Sequence, residues 1–439
     1  MSSTFVQRDR LLEHVKKASG NGSSWRNRMP RQNAIRQLKD RILDDRVTQL
    51  ALKFIRRYED SHLKDVWVDS MDDQRRMTML GREVVNFGSD SLLGLDWHPK
   101  VQQAIKDALP VWGTHNGTSR AFTSVALCEE AERKLAKWLG VEATLIFPSV
   151  TLANMGLLPG IARKNDLLVV DRTSHETLHE ASKVAAAEGA TIRELNPCCP
   201  DELRSILKRE DYEYCVLAVD GVYSMSGGVP PLKELNDVVR EFGGIMYCDD
   251  AHGTAVVGPK GRGACYEALG TLDEVLMIGS LSKAFSCLGA FVTCDLELQE
   301  FLKFCSSTFT FGGPVPPPYL AGVCAVCDLI ETPEYDETVG RLRSRMDQLM
   351  TGLRSIDVKM AGGVGAVASI TVGDIEKTFL AGKFMFDRGF YVQSATYPAV
   401  PIMSGILRIQ VNANHSEQAI DELLNAFADL KTEYNLPAA

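Results

Sequence analysis

The chain lacks most of the features that would place it at a glance, and each gap removes a class of function. No apolar run approaches the ~20 residues needed to span a bilayer, so no membrane span is expected. The N-terminus is polar and charged, unlike a secretory leader. No GxxxxGK[ST] or GxGxxG opens a helix, which leaves nucleotide phosphate-loop readings without support. HETLH carries His175 and His179 four residues apart but lacks the HExxH order, so no metal is expected. The eleven cysteines are scattered: Cys198-Cys199 is the only adjacent pair and no CxxC…CxxC spacing occurs. Cys324 and Cys327 form a lone CxxC inside the apolar run AGVCAVCDLI, where core packing is the expected use. A reducing, cytoplasmic setting follows from that usage. Excess positive charge is also missing. A net charge of -9 argues against a general nucleic-acid or anionic-membrane surface, and the basic stretch RNRMPRQNAIRQLKDR reads as a solvated helix face. There is no internal repeat and no low-complexity segment.

What remains is an ordinary globular composition, 45% hydrophobic and 24% charged, in 439 residues. That length exceeds one core and fits two or three domains. Residues 1 to about 75 are charged and sparsely apolar, with Leu38, Ile42, Leu50 and Phe54 at helical spacing. REVVN (82–86) reads as a strand, and a helix is expected from about His98. GTHNGTSRAFTS (113–124) reads as a loop, and CEEAERKLAKWLG as a helix ending at Gly140. From there strands (ATLIFPS, DLLVVD, TIRELNP, YCVLAVDGVYS, GIMYCDD, EVLMIGS) alternate with helices. Such alternation implies a mainly parallel, doubly wound sheet with its site at the carboxyl edge. After the proline-rich TFTFGGPVPPP (308–318) the pattern changes to one long helical stretch, 319–353, then short strands and helices. The expected division is an N-terminal helical segment and arm (1–95), a large α/β domain (96–325) and a smaller α+β domain (326–439).

Two stretches carry the chemistry. VLMIGSLSKAFSCLGAF (275–291) is a buried-strand pattern followed by small residues that read as an exposed turn, and Lys283 lies in that turn. A lone lysine there is usually solvated. On a pocket wall it loses charge and becomes a nucleophile or Schiff-base former. YCDDAHGTAVVGPKGRG (247–263) places Asp249 at the end of the neighbouring strand, with His252 just after it. A cofactor with a pyridinium nitrogen wants a buried carboxylate beside that nitrogen, a lysine for its aldehyde, and hydroxyls or helix amides for its phosphate. Asp249 taken singly could equally cap a helix or turn.

VNFGSDSLLGLDWHP (85–99), GTSRAFTS, FPSVTLANMGLL, DRTSHETLHEA, VDGVYSMSGGVPPL, DDAHGTAVVGPKGRG, GSLSKAF and ILRIQVNANHS follow in order over roughly residues 80 to 415. In these motifs the chain resembles the pyridoxal-phosphate-dependent α-oxoamine synthases. They include 8-amino-7-oxononanoate synthase, 2-amino-3-ketobutyrate CoA ligase, 5-aminolevulinate synthase and serine palmitoyltransferase. The resemblance implies a fold-type I transferase: a mainly parallel seven-stranded sheet with helices on both faces, and a smaller α+β C-terminal domain. It implies that Lys283 bonds to the cofactor aldehyde and moves protons at Cα. Asp249 would pair with the pyridinium nitrogen, His252 with the ring hydroxyl, and His175 would stack on the ring. Ser224 matches a residue near the ring oxygen, and Ser280 a phosphate contact. Ser149, Val150, Thr151 and Asn154 lie in the segment that cradles the phosphate, and Arg408 matches the arginine that holds the amino-acid carboxylate.

The same resemblance implies a decarboxylative Claisen condensation of an amino acid with an acyl thioester on CoA or an acyl carrier protein, giving an α-aminoketone. It also implies a homodimer with sites at the interface. Transamination, aldol-type cleavage or a catalytically silent partner subunit are the alternatives. Five places depart from the family pattern. Asp90 stands where an asparagine helps bind the substrate carboxylate, and would repel that carboxylate unless protonated or compensated. Leu92 replaces a tyrosine, Cys128 a histidine and Val150 a glycine. Gly312-Gly313 replace a serine-threonine pair directed at the neighbouring subunit's phosphate, with Thr308 or Thr310 as substitutes.

Overall fold

The computed structural model describes residues 34–45, scattered positions between 49 and 57, and residues 66–438 other than 198, 398 and 402. Fifteen strands occur among the described residues. They are β1 (Val68–Met71), β2 (Arg76–Met79), β3 (Arg82–Asn86), β4 (Ala143–Phe147), β5 (Leu167–Asp171), β6 (Thr191–Leu195), β7 (Cys215–Asp220), β8 (Ile245–Asp249), β9 (Val275–Ser280), β10 (Ala290–Cys294), β11 (Met360–Gly362), β12 (Val367–Gly373), β13 (Phe390–Tyr391), β14 (Gln393–Ala395) and β15 (Gly405–Gln410).

The central sheet has seven strands in the order β4-β10-β9-β8-β7-β5-β6. All run parallel except β10, which is antiparallel to both neighbours. Both faces are covered, so the strands are apolar on both sides rather than alternating. Leu167, Val169, Leu217, Val219, Met246, Cys248, Val275 and Met277 enter one core, and the intervening Leu168, Val170, Val216, Ala218, Tyr247, Leu276 and Ile278 enter the other. The fold-type I expectation of a mainly parallel seven-stranded sheet thus holds. β10 is the seventh strand, absent from the six strand patterns read along the chain because the nine residues 281–289 before it carry no two-residue turn signature.

At one edge of this sheet, side chains satisfy the outer backbone groups of β4. The Ile146 N–H donates to Glu132 Oε1 (2.8 Å), Arg120 Nη1 donates to the Ile146 carbonyl (3.0 Å), and Gln299 donates to the Thr144 carbonyl (2.8 Å). A buried Arg120–Glu132 ion pair therefore does what another strand would do, and the edge is closed to further pairing.

The second layer is the antiparallel sheet β11-β12-β15-β14, covered by the helices Pro333–Ser355, Ile375–Asp387 and Glu417–Tyr434. The long helical stretch expected at 319–353 is two helices, Pro317–Ile330 and Pro333–Ser355. Pro333 starts the second at its first helical position, where a missing N–H costs nothing. Cys324 and Cys327 are buried in the first, as core packing required. Residues 1 to about 75, whose apolar spacing is helical, include the strand β1 of the hairpin β1–β2 as well as a helix, Ala34–Leu43; Leu50 and Phe54 lie outside the described residues. β1–β3 form a ribbon whose fourth strand is β13, paired parallel to β3. The segment ahead of residue 90 is thereby tied to the C-terminal part of the chain.

Candidate active site

The carboxyl ends of β7, β8 and β9 converge with the N-terminus of the helix Val150–Ile161 around a cavity of about 200 Å³. Its lining includes Ser149, Val150, Thr151, His175, Asp220, Ser224, Asp249, His252, Ser280 and Lys283. Nine of the twelve residues singled out from the sequence therefore meet in one place. Asn154, Arg408 and Asp90 stand just behind the lining, each bonded to something on it or beside it.

The floor is built from β8. Tyr247 and Asp249 are two residues apart, hence on one face of the strand. Tyr247 Oη donates to Asn154 Oδ1 (2.9 Å), and the Asn154 amide donates to Asp249 Oδ2 (2.7 Å) and to Thr177 Oγ1 (2.9 Å). The Ala251 N–H donates to Asp249 Oδ1 (3.2 Å). Both carboxylate oxygens are thus held, and the group is aimed before any ligand arrives. Thr177 Oγ1 also meets His175 Nδ1 at 2.8 Å, so one polar chain runs from Asp249 to His175. Asn154, assigned from the motif to the phosphate-cradling segment, has its amide on this carboxylate.

Asp220 ends β7 in register with Asp249 and accepts the His175 N–H through Oδ1 (3.0 Å). Burial, then the neighbouring Asp249 carboxylate, push the Asp220 carboxyl well above the usual range, which favours its neutral acid. Neither Asp220 nor Tyr247 was singled out from the sequence. The period of two along β8 and the matching position of Asp220 at the end of its own strand were the signals available.

Next to Asp249, Asp250 points away from the cavity and organises the turn that presents His252. Its Oδ2 accepts the Cys265 N–H (2.9 Å), and Gly253 and Gly263 close on the same carboxylate so tightly that a Cβ at either would lie 2.0 or 2.3 Å from an oxygen. That, rather than phosphate binding, is the use of those two glycines. Burial pushes the Asp250 carboxyl up to about 7. His252 is enclosed, and burial pushes its imidazole well below the usual range, so the ring is neutral near pH 7. Its Nδ1 is buried with no partner among the described residues. A buried nitrogen without a partner is costly, and it belongs to a ring that lines the cavity.

Lys283 follows β9, but the turn carrying it is not the exposed one the small residues suggested. Leu281, Ala284, Phe285 and Cys287 are buried, with Phe285 against Trp138 (ring centroids 5.5 Å apart), and the turn returns as β10. Desolvation lowers the Lys283 amine below an ordinary lysine, while Asp90 and Asp249 pull it back up. Ser280 Oγ sits 3.3 Å from Ser282 Oγ below it. Opposite, Ser149 caps the Val150–Ile161 helix by accepting the Leu152 N–H, and that helix N-terminus opens on the cavity.

The remaining wall comes from distant parts of the chain. Arg408 lies on β15 directly across from Gln393 on β14 and two residues from Gln410. Its Nε donates to the Ser224 carbonyl (2.6 Å), and its Nη1 to Gln393 Oε1 (2.6 Å) and Gln410 Oε1 (3.0 Å). Nη2 reaches Asp90 Oδ1 at 3.4 Å, and Gln410 donates to that same oxygen. The loop carrying Asp90 is braced by Arg75, fully buried, which bonds both oxygens of Asp96 (2.8 and 2.7 Å) and the Ser91 carbonyl (3.0 Å). Ser91 Oγ meets Ser286 Oγ at 2.6 Å, and the Ser286 N–H donates to the Lys283 carbonyl (2.8 Å). The Asp90 loop and the Lys283 turn are therefore fastened to each other. Thr308 and Thr310, the substitutes suggested for the missing serine-threonine pair, spend their hydroxyls on the Leu152 and Ser306 carbonyls.

Against known proteins, residues 82–427 match the family model described as aminotransferase class I and II. The chain is 30% identical over 367 residues to 8-amino-7-oxononanoate synthase of Geobacter sulfurreducens, covering 82% of this chain and 92% of that one. It is 32% identical over 360 residues to 4-hydroxy-2,2'-bipyrrole-5-methanol synthase of a Serratia species, covering 81% of this chain but only 54% of that longer protein. In fold it resembles the serine palmitoyltransferase of Sphingomonas wittichii, with a TM-score of 0.83, 23% identity, and coverage of 90% of this chain and all of that one.

Proposed function

The chain belongs to the class I and II aminotransferase family and, within it, to the pyridoxal-phosphate-dependent α-oxoamine synthases, and from that premise we propose that it condenses an amino acid with an acyl thioester. The observation that carries the reading is the cavity itself. A half-buried lysine, an oriented carboxylate and an enclosed histidine line one space closed by a helix N-terminus. Those groups fit the cofactor: Lys283 for its aldehyde, Asp249 for its ring nitrogen and His252 for its ring hydroxyl. Ser149, Val150, Thr151 and Ser280 would take its phosphate, with His175 over the ring and Ser224 near its oxygen. Pyridoxal phosphate, when bound, supplies an electron-withdrawing ring that stabilises negative charge at an amino acid's Cα.

The chain's own residues do the rest. Asp249, held by Asn154 and Ala251, keeps a positive charge at the ring nitrogen. Lys283, its amine made less basic by desolvation, takes the Cα proton and later returns one. Arg408 orients the substrate carboxylate. In the overall reaction Cα bonds to the acyl carbon, the C–S bond breaks to release the thiol, and the carboxylate leaves as CO2. Whether the thiol is CoA or a carrier protein is open to direct test. Mixing the holoenzyme with amino acids and acyl thioesters should release CO2 and thiol together. Keto acid formed without CO2 would instead identify an aminotransferase, and absence of both with a normal cofactor spectrum a silent subunit.

The exposed Phe122 (83%), Phe304 (87%) and Phe311 (85%) support a homodimer that covers them, with Phe122 in the 113–124 loop and Phe311 beside Gly312-Gly313. A sedimentation mass of twice the chain mass checks it. Among the described residues no helix is long and apolar enough to cross a membrane, and the ten described cysteines are unpaired, which supports a reducing compartment.

A further inference from the structure

Arg408 spends all three nitrogens inside the protein. Nε and Nη1 go to the Ser224 carbonyl and to two glutamines, and Nη2 goes to Asp90. Gln410 is buried, whereas Ser224, Gln393 and Asp90 are partly exposed, the Asp90 side chain to 42% against 5% for Arg408. The Asp90 oxygen bonded by Arg408 is also bonded by the Gln410 amide. A guanidinium beside a side-chain amide is the donor set a free α-carboxylate would take. In this chain a carboxylate is already sitting in it.

We propose that Asp90 is an internal stand-in for the substrate carboxylate, and that an amino acid binds by displacing it from Arg408 and Gln410. The inference rests on the reading of Arg408 as the carboxylate anchor. Two carboxylates cannot share one arginine without repulsion, so Asp90 weakens the grip on any amino acid. The binding site then distinguishes an amino acid poorly from the same amine without its carboxylate. Asp90 is a specificity-determining residue that acts through Arg408, and its displacement leaves a carboxylate at the mouth of the cavity beside the incoming substrate.

The test titrates the holoenzyme with L-alanine against ethylamine and with L-serine against ethanolamine, following the cofactor absorbance without any acyl thioester. Asp90→Asn keeps the side-chain shape and removes the charge. In Asp90→Asn the amino acids should bind roughly tenfold tighter while the amines stay within about twofold, an effect between that of an exposed ion pair and that of two like charges forced together. Asp90→Ala should move the same ratio in the same direction, which guards against an effect peculiar to asparagine. In the Asp90→Asn, Arg408→Lys double variant the gain should vanish. An unchanged amino acid to amine ratio in both single variants, or weaker amino acid binding, overturns the proposal. Failure of the condensation itself leaves these titrations readable, so the two readings fall separately.

Discussion

At the floor of the cavity, Tyr247 and Asp249 share the strand β8 and are joined by Asn154 of the helix packed on that sheet, whereas on the wall Asp90 meets Arg408 from 318 residues away. The floor is buried, with both Asp249 oxygens held within the protein; among the described residues His252 Nδ1 and Asp250 Oδ1 beside it are buried without a partner. The wall is half open, and its anchor is occupied by the protein itself. Strand register places the floor, since Asp220, Asp249 and Ile278 align across β7, β8 and β9. Tertiary packing alone places the wall. On the proposed reading the floor holds the cofactor and the wall meets the substrate carboxylate. Lys283 belongs to both, sitting on a sheet end but feeling Asp90 more strongly than Asp249. Removing it should give the largest effect. Lys283→Ala is expected to lose roughly 10³-fold or more in turnover and the visible-edge absorbance of the bound cofactor with it. Retention of that band would break the assignment of the floor.

One step down is Asp249→Asn, which keeps the shape and removes the charge opposite the ring nitrogen. A loss on the order of 10²-fold in kcat is expected, the scale of removing one oriented electrostatic partner. Amino acid affinity should change little, because the floor does not touch the substrate carboxylate. A variant that loses affinity and turnover equally would show that floor and wall are coupled more tightly than their separate hydrogen bonds indicate.

The wall's counterpart is Arg75→Met. Removing the fully buried Arg75 from a pair whose Asp96 side chain is 27% exposed breaks its charge-assisted hydrogen bonds and frees the Asp90 loop, so a loss of about 2 kcal/mol in stability is expected. Urea unfolding measures it. Because Ser91 ties that loop to Ser286 and so to the Lys283 turn, amino acid affinity should weaken more than cofactor affinity. Equal weakening of both would erase the distinction between the two regions.

The two regions were unequally legible in the sequence for the same physical reason. GIMYCDD and VLMIGS are local patterns, and a strand's end fixes where its next side chain points. Asp249, His252 and Lys283 could therefore be placed together before any coordinates. Tyr247 was missed because on a strand buried on both faces a tyrosine looks like any other core residue. On the wall, Asp90 was visible as a departure and Arg408 as an anchor. Their pairing depends on β15 crossing under the loop after β3, which no local spacing encodes. The hairpin β1–β2 stayed hidden because its strands are short and charged, with Arg76 and Asp69 on the exposed side, and it is completed only through β3 and β13.

The smallest effect joins the two regions through Lys283. Its amine lies below the ordinary lysine value of 10.5 because desolvation outweighs the carboxylates around it. Asp90 is the strongest of the charges that raise it, ahead of Asp249 and Asp220, while Arg408 lowers it. A lowered amine is neutral, and able to attack an aldehyde, at a lower pH than a free lysine. Capture of pyridoxal phosphate by the apoprotein, followed by absorbance as a function of pH, should reach half its maximal rate below the pH at which a free lysine does. Asp90→Asn removes a group that favours the charged amine, so the midpoint should move further down. Asp249→Asn should move it the same way by less. An upward shift in Asp90→Asn would mean that the freed Arg408 had turned away from the lysine, and a shift larger with Asp249→Asn would return control of Lys283 from the wall to the floor.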